Sequence, residues 1–184
     1  MTFTEDARRR QLVDVTIALV AEHGYGRCSL ARIAEAAGVT KGAVLYHFRT
    51  KDAVVRAAYA HVLEALVAAV GDAVDAAAGP GEALRAYVTT MLGHLGANPE
   101  HARVLADSLD AAVVHDRDDR PARWRPVAAL VEAAQANGEC GPGDPRTLAV
   151  ALGGAIDGLV AERLADPSFV PDPEVALRLV APVG

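Results

Sequence analysis

Between Ser29 and Asp52 the chain carries so many helix-starting and helix-stopping residues that only short helices fit. Ser29 is an N-cap, and Leu30, Ile33, Ala34 and Ala37 then recur at helical spacing until Gly38. Thr40 caps a second short run, in which Val44 and Phe48 point back toward Val39 and Ile33. Thr50 and Asp52 start a third run. Two helices of about two turns, joined by a tight turn with a left-handed glycine, form a helix-turn-helix. In that motif the second helix enters the DNA major groove N-terminus first. Its early residues must be small or polar, and Thr40, Lys41, Gly42 and Ala43 are. Gly42 lowers helix propensity by about 1 kcal/mol relative to alanine. Close approach to a DNA strand offsets that cost; a crowded loop is the alternative reason.

Charge points the same way. The net charge of −6 is unevenly spread: residues 1–51 hold eight cations against five anions, and the rest hold ten against nineteen. A small basic part that meets a polyanion and a larger acidic body fit this split. Lys41 and Lys51 are the only lysines. A compact ammonium on a flexible stem suits a phosphate, whereas arginine's fork suits guanine or carboxylate. Arg27 and Ser29, at the mouth of the first short helix, are placed for phosphate. Arg8, Arg9 and Arg10 either reach an adjacent groove or form a solvated helix end.

The rest of the chain reads as all-α. Alanine dominates and aromatics are 4%, which favours helices over sheets. Thr4, followed by Glu5 and Asp6, caps a first helix with Leu12, Val13, Thr16, Ile17, Leu19 and Val20 on one face, ending at Gly24. The helix from Thr50 runs without glycine or proline as far as Val70, and Gly79-Pro80-Gly81 separates it from a fifth. There Leu84, Tyr87, Val88, Met91, Leu92 and Leu95 form a wide apolar face. Asn98-Pro99 opens a helix with Val104, Leu105 and Leu109, and Pro121 opens the next, reaching about Asn137. A loop ends at the Asp144 cap and Pro145, which begins a long final helix to Leu164. Nine to ten helices are expected.

Gly154 and Gly158, four apart, permit close approach of a second helix. Asp157 sits inside an apolar run, either capping a partner or meeting a cationic ligand. Cys28 and Cys140 give neither a disulfide framework nor metal spacing, as in a reducing cytoplasm. No zinc, Walker or nucleophile-elbow motif is present, so neither enzyme chemistry, a metal nor a cofactor is expected. The first residues lack the apolar stretch of a signal peptide, and no uncharged run reaches the roughly 18 residues of a membrane span. We expect a cytoplasmic protein.

The segment "SLARIAEAAGVTKGAVLYHFRTKDAV" resembles the DNA-binding domain of TetR-type repressors, and "RRRQLVDVTIALVAEHGYGRCSL" resembles that domain's first helix and exit. The resemblance covers roughly residues 8–63. It implies a DNA-binding domain at 1–50 and an effector-binding and dimerisation domain at 51–184. It further implies a homodimer released from palindromic double-stranded operator DNA by a small-molecule effector. An activator, or a DNA binder without an effector, is the alternative.

By position, Lys41, Gly42 and Ala43 fall where family members touch bases or backbone. Tyr46 and His47 fall in the segment that packs on phosphates, and Lys51 falls where a helix start grips one. There is one departure: Leu45 occupies the place of the usual backbone-contacting tyrosine, with Tyr46 one step later. The resemblance also implies an effector cavity, for which Tyr87, Met91, His94, Leu105, Leu109 and Trp124 are candidates, with Asp107 and Asp110 as polar anchors. A four-helix dimer seam is implied from the last two long helices, through Val127, Leu130, Val131, Leu148, Leu152, Gly154, Ala155, Gly158 and Leu159.

Overall fold

The structure, a computed structural model, describes residues 3–110 and 123–182, without the side chains of 3 and 108–110. Among these residues there are nine helices and no strand. They are α1 (Phe3–Arg27), α2 (Leu30–Ala36), α3 (Lys41–His47), α4 (Lys51–Asp75), α5 (Pro80–Ala97), α6 (Pro99–Asp110), α7 (Trp124–Ala136), α8 (Pro145–Ala165) and α9 (Pro173–Arg178). The expected Pro121 start of α7 lies outside the described residues. Helix α1 already begins at Phe3, so Thr4 lies inside it and does not cap it.

Two compact units divide the chain. The first holds α1, α2, α3, α4 through Ala65, and α6; the second holds α4 from Leu66, α5, α7, α8 and α9. Packing therefore places the boundary elsewhere than residue 50. The reason is apolar: Val54, Val55, Ala58 and Val62 of α4 and Val104 of α6 are buried in one core with α1, α2 and α3.

That core explains the first unit. Leu12, Ile17 and Val20 of α1 are buried with Ile33 of α2 and Val44 and Phe48 of α3. Each such side chain contributes about 1.5–3 kcal/mol when fully buried. Thr16 is also fully buried, its hydroxyl donating to the Leu12 carbonyl at 2.7 Å, so no polar group is left unpaired there. By length and composition α4 would also pass as a membrane span. Its buried face instead serves this core.

Gly38 has φ 65°, and the Val39 N–H donates to the Ala34 carbonyl at 2.9 Å, which closes α2 with a left-handed cap. Gly24 has φ 76° and ψ 161°, a conformation open essentially to glycine alone, and it kinks α1 where the sequence predicts an end. Helix α4 continues past Val70 and through Gly71 to Asp75, because a single glycine is a modest cost within a long helix.

In the second unit α7 packs on α8, and α5 packs on α7, α8 and α9. Leu84, Val88 and Leu92 meet Val127, Val131, Leu152 and Ile156 in its core. The sequence reading missed α9. Asp172 caps it through the Glu174 N–H at 2.9 Å, with Pro173 first in the helix. That is the same Asp-Pro start that marks α8. The segment is anchored by buried Ala176 and Val180, and by the Gly141 N–H donating to the Val180 carbonyl at 2.8 Å.

Gly24→Ala is expected to lower stability by about 1–3 kcal/mol. Gly26→Ala, which meets nothing within 4 Å and has no such φ, stays within about 0.5 kcal/mol of the parent. Thermal unfolding followed by circular dichroism compares the two, and equal melting temperatures would refute the assignment of strain to Gly24.

Candidate nucleic-acid interface

Seven residues make up α3, and they divide sharply between inside and outside. Val44 is 0% exposed and, just past the helix, Phe48 is 2%, while Lys41, Gly42, Leu45 and Tyr46 face solvent. Ala43 and His47 are half-buried. Thr40 and Ser29 act as caps: the Thr40 hydroxyl oxygen accepts from the Ala43 N–H at 3.1 Å, and the Ser29 hydroxyl oxygen accepts from the Arg32 N–H at 3.2 Å. Each hydroxyl keeps its own proton to donate outward. Arg27 is exposed at the mouth of α2, and its carbonyl accepts from the Arg32 guanidinium at 3.2 Å.

Three ties from α1 hold this outward face. The Gln11 amide donates to the Ala37 carbonyl at 3.2 Å, at the end of α2. The Arg9 guanidinium donates to the His47 carbonyl at 3.2 Å and lies 4.2 Å from the Phe48 ring centroid. It therefore satisfies the end of α3 and stacks on the ring that anchors it. Arg9 is thus a positioning residue and not one that reaches into a groove. The third tie bears on the Leu45 departure. Tyr46 is 74% exposed, yet its hydroxyl donates to Glu5 Oε1 at 3.0 Å, and its ring meets His47 edge-on at 5.1 Å. That bond to a carboxylate raises the Tyr46 phenol pKa. Its proton is already used, beside an anion.

Lys51 sits at the start of α4 in a second network. Its ammonium is 3.7 Å from the Tyr25 ring centroid, a cation–π contact. The Tyr25 hydroxyl donates to Asp52 Oδ1 at 2.7 Å, and the Tyr25 N–H donates to Asp107 Oδ2 at 3.3 Å. The hydrogen bond to Asp52, then burial, push the Tyr25 phenol up to about 12. Asp107 therefore supports the turn after Gly24 within the first unit. The sequence marks Asp52 only as a helix start and Asp107 only as an effector anchor; their ties to Tyr25 were not legible, because the partners lie 27 and 82 positions away.

The remaining expected contacts separate. Leu105 packs against the core of the first unit, whereas Tyr87, Met91 and Trp124 pack against that of the second. His94 is half-buried on α5. The Leu109 and Asp110 side chains lie outside the described residues. Of the expected seam, Val127, Val131 and Leu152 are 3%, 0% and 0% exposed within one chain. They already form its core and have no surface left for a partner. Leu130, Leu148, Ala155 and Leu159 are half-buried beside that core. Gly154 and Gly158 are exposed, and a Cβ built at either meets nothing within 4 Å. Asp157 pairs with Arg123 at 3.5 Å. Cys28 and Cys140 are buried free thiols, and burial raises the pKa of both.

A short helix presenting lysine and glycine outward, over a core shared with the helix before it, defines a helix-turn-helix DNA-binding head. Residues 12–58 match the N-terminal domain of the bacterial regulatory proteins of the tetR family. A helix-turn-helix transcriptional repressor of Mycobacterium tuberculosis is 45% identical over 47 residues, 26% of this chain and 25% of that protein. The curated relatives are thus matched over only a quarter to a third of their length. Solved structures are matched over nearly all of theirs. A TetR family regulator from Marinobacter aquaeolei superposes with a TM-score of 0.80 at 22% identity, over 100% of both chains. A tetR-family regulatory protein from Rhodococcus superposes at 0.77 with 25% identity, over 96% of this chain and 98% of that one. Residues 12–58 thus match the N-terminal domain of the tetR family, and the chain as a whole shares its fold with these solved regulators.

The Tyr25 network has a pH signature. Because the folded-state pKa lies above the ordinary value of 10.0, the bond's stabilisation is complete below pH 10 and is lost as pH rises through about 12. Ultraviolet titration of phenolate is expected to show one tyrosine ionising near 12, and Tyr25→Phe removes that step. If the variant keeps the step, the Tyr25–Asp52 bond is not its cause.

Proposed function

We propose that the protein is a homodimeric, ligand-responsive repressor that binds palindromic double-stranded operator DNA in the cytoplasm and releases it when a small-molecule effector binds. The observation that carries the DNA reading is the outward face of α3: Lys41, Gly42 and Leu45 exposed on one side, Val44 and Phe48 buried on the other. Lys41, Gly42 and Ala43 lead into the major groove. Thr40 and Ser29 offer hydroxyl donors to phosphates, and Arg27 and Lys51 offer charge. His47 lies behind them, its ring braced by Tyr46. The match to a protein named as a repressor supports the direction of control.

In this reading the first unit is the DNA-binding head, and the second binds effector and partner copy. Tyr87, Met91 and Trp124 are the effector contacts we favour. Their partly exposed aromatic and thioether surfaces are accompanied by the Arg123–Asp157 pair, whose charges both act on the Tyr87 hydroxyl. An apolar pocket with a few polar groups has this composition. The seam is assigned to the outward side of α8, where Val150, Gly154 and Gly158 are exposed. These small residues let a second helix approach closely.

Lys51→Ala is expected to weaken binding to all duplexes. It should also lower the salt slope by about 0.9 for each phosphate the protein no longer neutralises, one per head. An unchanged slope would remove Lys51 from the phosphate-binding residues. A Cβ at Gly158 meets nothing within 4 Å, so Gly158→Leu has room to leave its own helix undisturbed. It is expected to keep its helical circular dichroism while the sedimenting mass falls to that of a monomer. A full-mass dimer would place the seam on another face.

A further inference from the structure

We propose that Leu45 is a specificity-determining residue that reads thymine, by packing its isobutyl group on the 5-methyl group in the major groove. The inference rests on the DNA-binding reading and deepens it. Among the described residues of the first unit, Leu45 and Tyr46 are the only exposed large hydrophobic side chains, and both lie on α3. Tyr46 is held by its hydroxyl to Glu5 on α1, so it does not take over a phosphate contact in place of Leu45. Leu45 is 40% exposed, an aliphatic group that no core has absorbed.

Its surroundings say what it meets. Leu45 follows Lys41 by one turn on the same side of the helix, and a helical side chain leans back over the turn before it. That turn contains Gly42, which has no side chain; a Cβ there would approach only the Thr40 hydroxyl, at 3.8 Å. The isobutyl group therefore overlies bare backbone beside an ammonium. A polyanion is the partner such a charge selects, and along the major groove the thymine methyl is the apolar group that base edges present. A tyrosine at this place would offer its hydroxyl to a phosphate, which carries no sequence information. Leucine exchanges a positioning contact for a reading one.

The test uses the full chain. Duplexes bound by the protein are selected from a random pool, and each thymine of the selected half-site is replaced singly by deoxyuridine, which lacks only the methyl group. Dissociation constants are measured at one salt concentration for the parent, Leu45→Ala and Leu45→Met. One position is expected at which deoxyuridine weakens the parent about fourfold, the value of one buried methyl group. Leu45→Ala is expected to bind the two duplexes equally, and Leu45→Met to keep most of the discrimination. Leu45 is exposed and alanine favours helices, so folding of the variant is checked by its circular dichroism. If duplexes are selected but no thymine methyl couples to Leu45, the inference is wrong and the DNA reading stands. If no duplex is enriched, the DNA reading itself fails.

Discussion

A helix of seven residues does not hold itself together in water. The outward face of α3 exists only because Val44 and Phe48 are buried beneath it, against Leu12 and Ile17 of α1 and Ile33 of α2. Burial of these side chains sets the depth of the helix. Gly38 sets its direction, since only a left-handed turn brings the chain from α2 into α3 within four residues. Every polar feature of the head is built on that apolar contact.

The polar ties refine the geometry. Arg9 and Glu5 reach from α1 to α3, one to the His47 carbonyl and one to the Tyr46 hydroxyl. Lys51 is kept in place by a ring, not an anion, so its charge stays available to an approaching phosphate. A carboxylate in the ring's place would have neutralised it at short range. The acid in that network, Asp52, is occupied by the Tyr25 hydroxyl instead. Tyr25 thereby serves both neighbours, and Asp107 of α6 fixes its backbone.

The second unit shows a different economy. Its core uses Val127, Val131, Leu152 and Ile156 within one chain, while Gly154 and Gly158 of α8 are exposed and a Cβ at either meets nothing within 4 Å. Trp124 packs against this core and also lies near two guanidiniums, those of Arg146 at 4.6 Å and Arg125 at 5.8 Å, so its ring is covered partly by core and partly by charge. The apolar content of the two long helices thus divides between a filled inner face and a smooth outer one.

Local chemistry was legible in the sequence. Ser29, Thr40, Asp144 and Gly38 announced their caps and turn, and the apolar periodicity of α1 and α5 named the buried side chains, because these signals act over three or four residues. Which side of an apolar helix meets its own chain was not legible. Val131 and Leu152 look the same in a core or a seam until the neighbouring helices are in place. Nor was the tying of Lys51, Tyr25 and Asp107, which depends on groups brought together from distant positions. The sequence by itself determined the helices, their ends and the exposed chemistry of α3. Tertiary structure alone decided which charges are held and which apolar faces are already used, because those depend on distances between helices that no local pattern encodes.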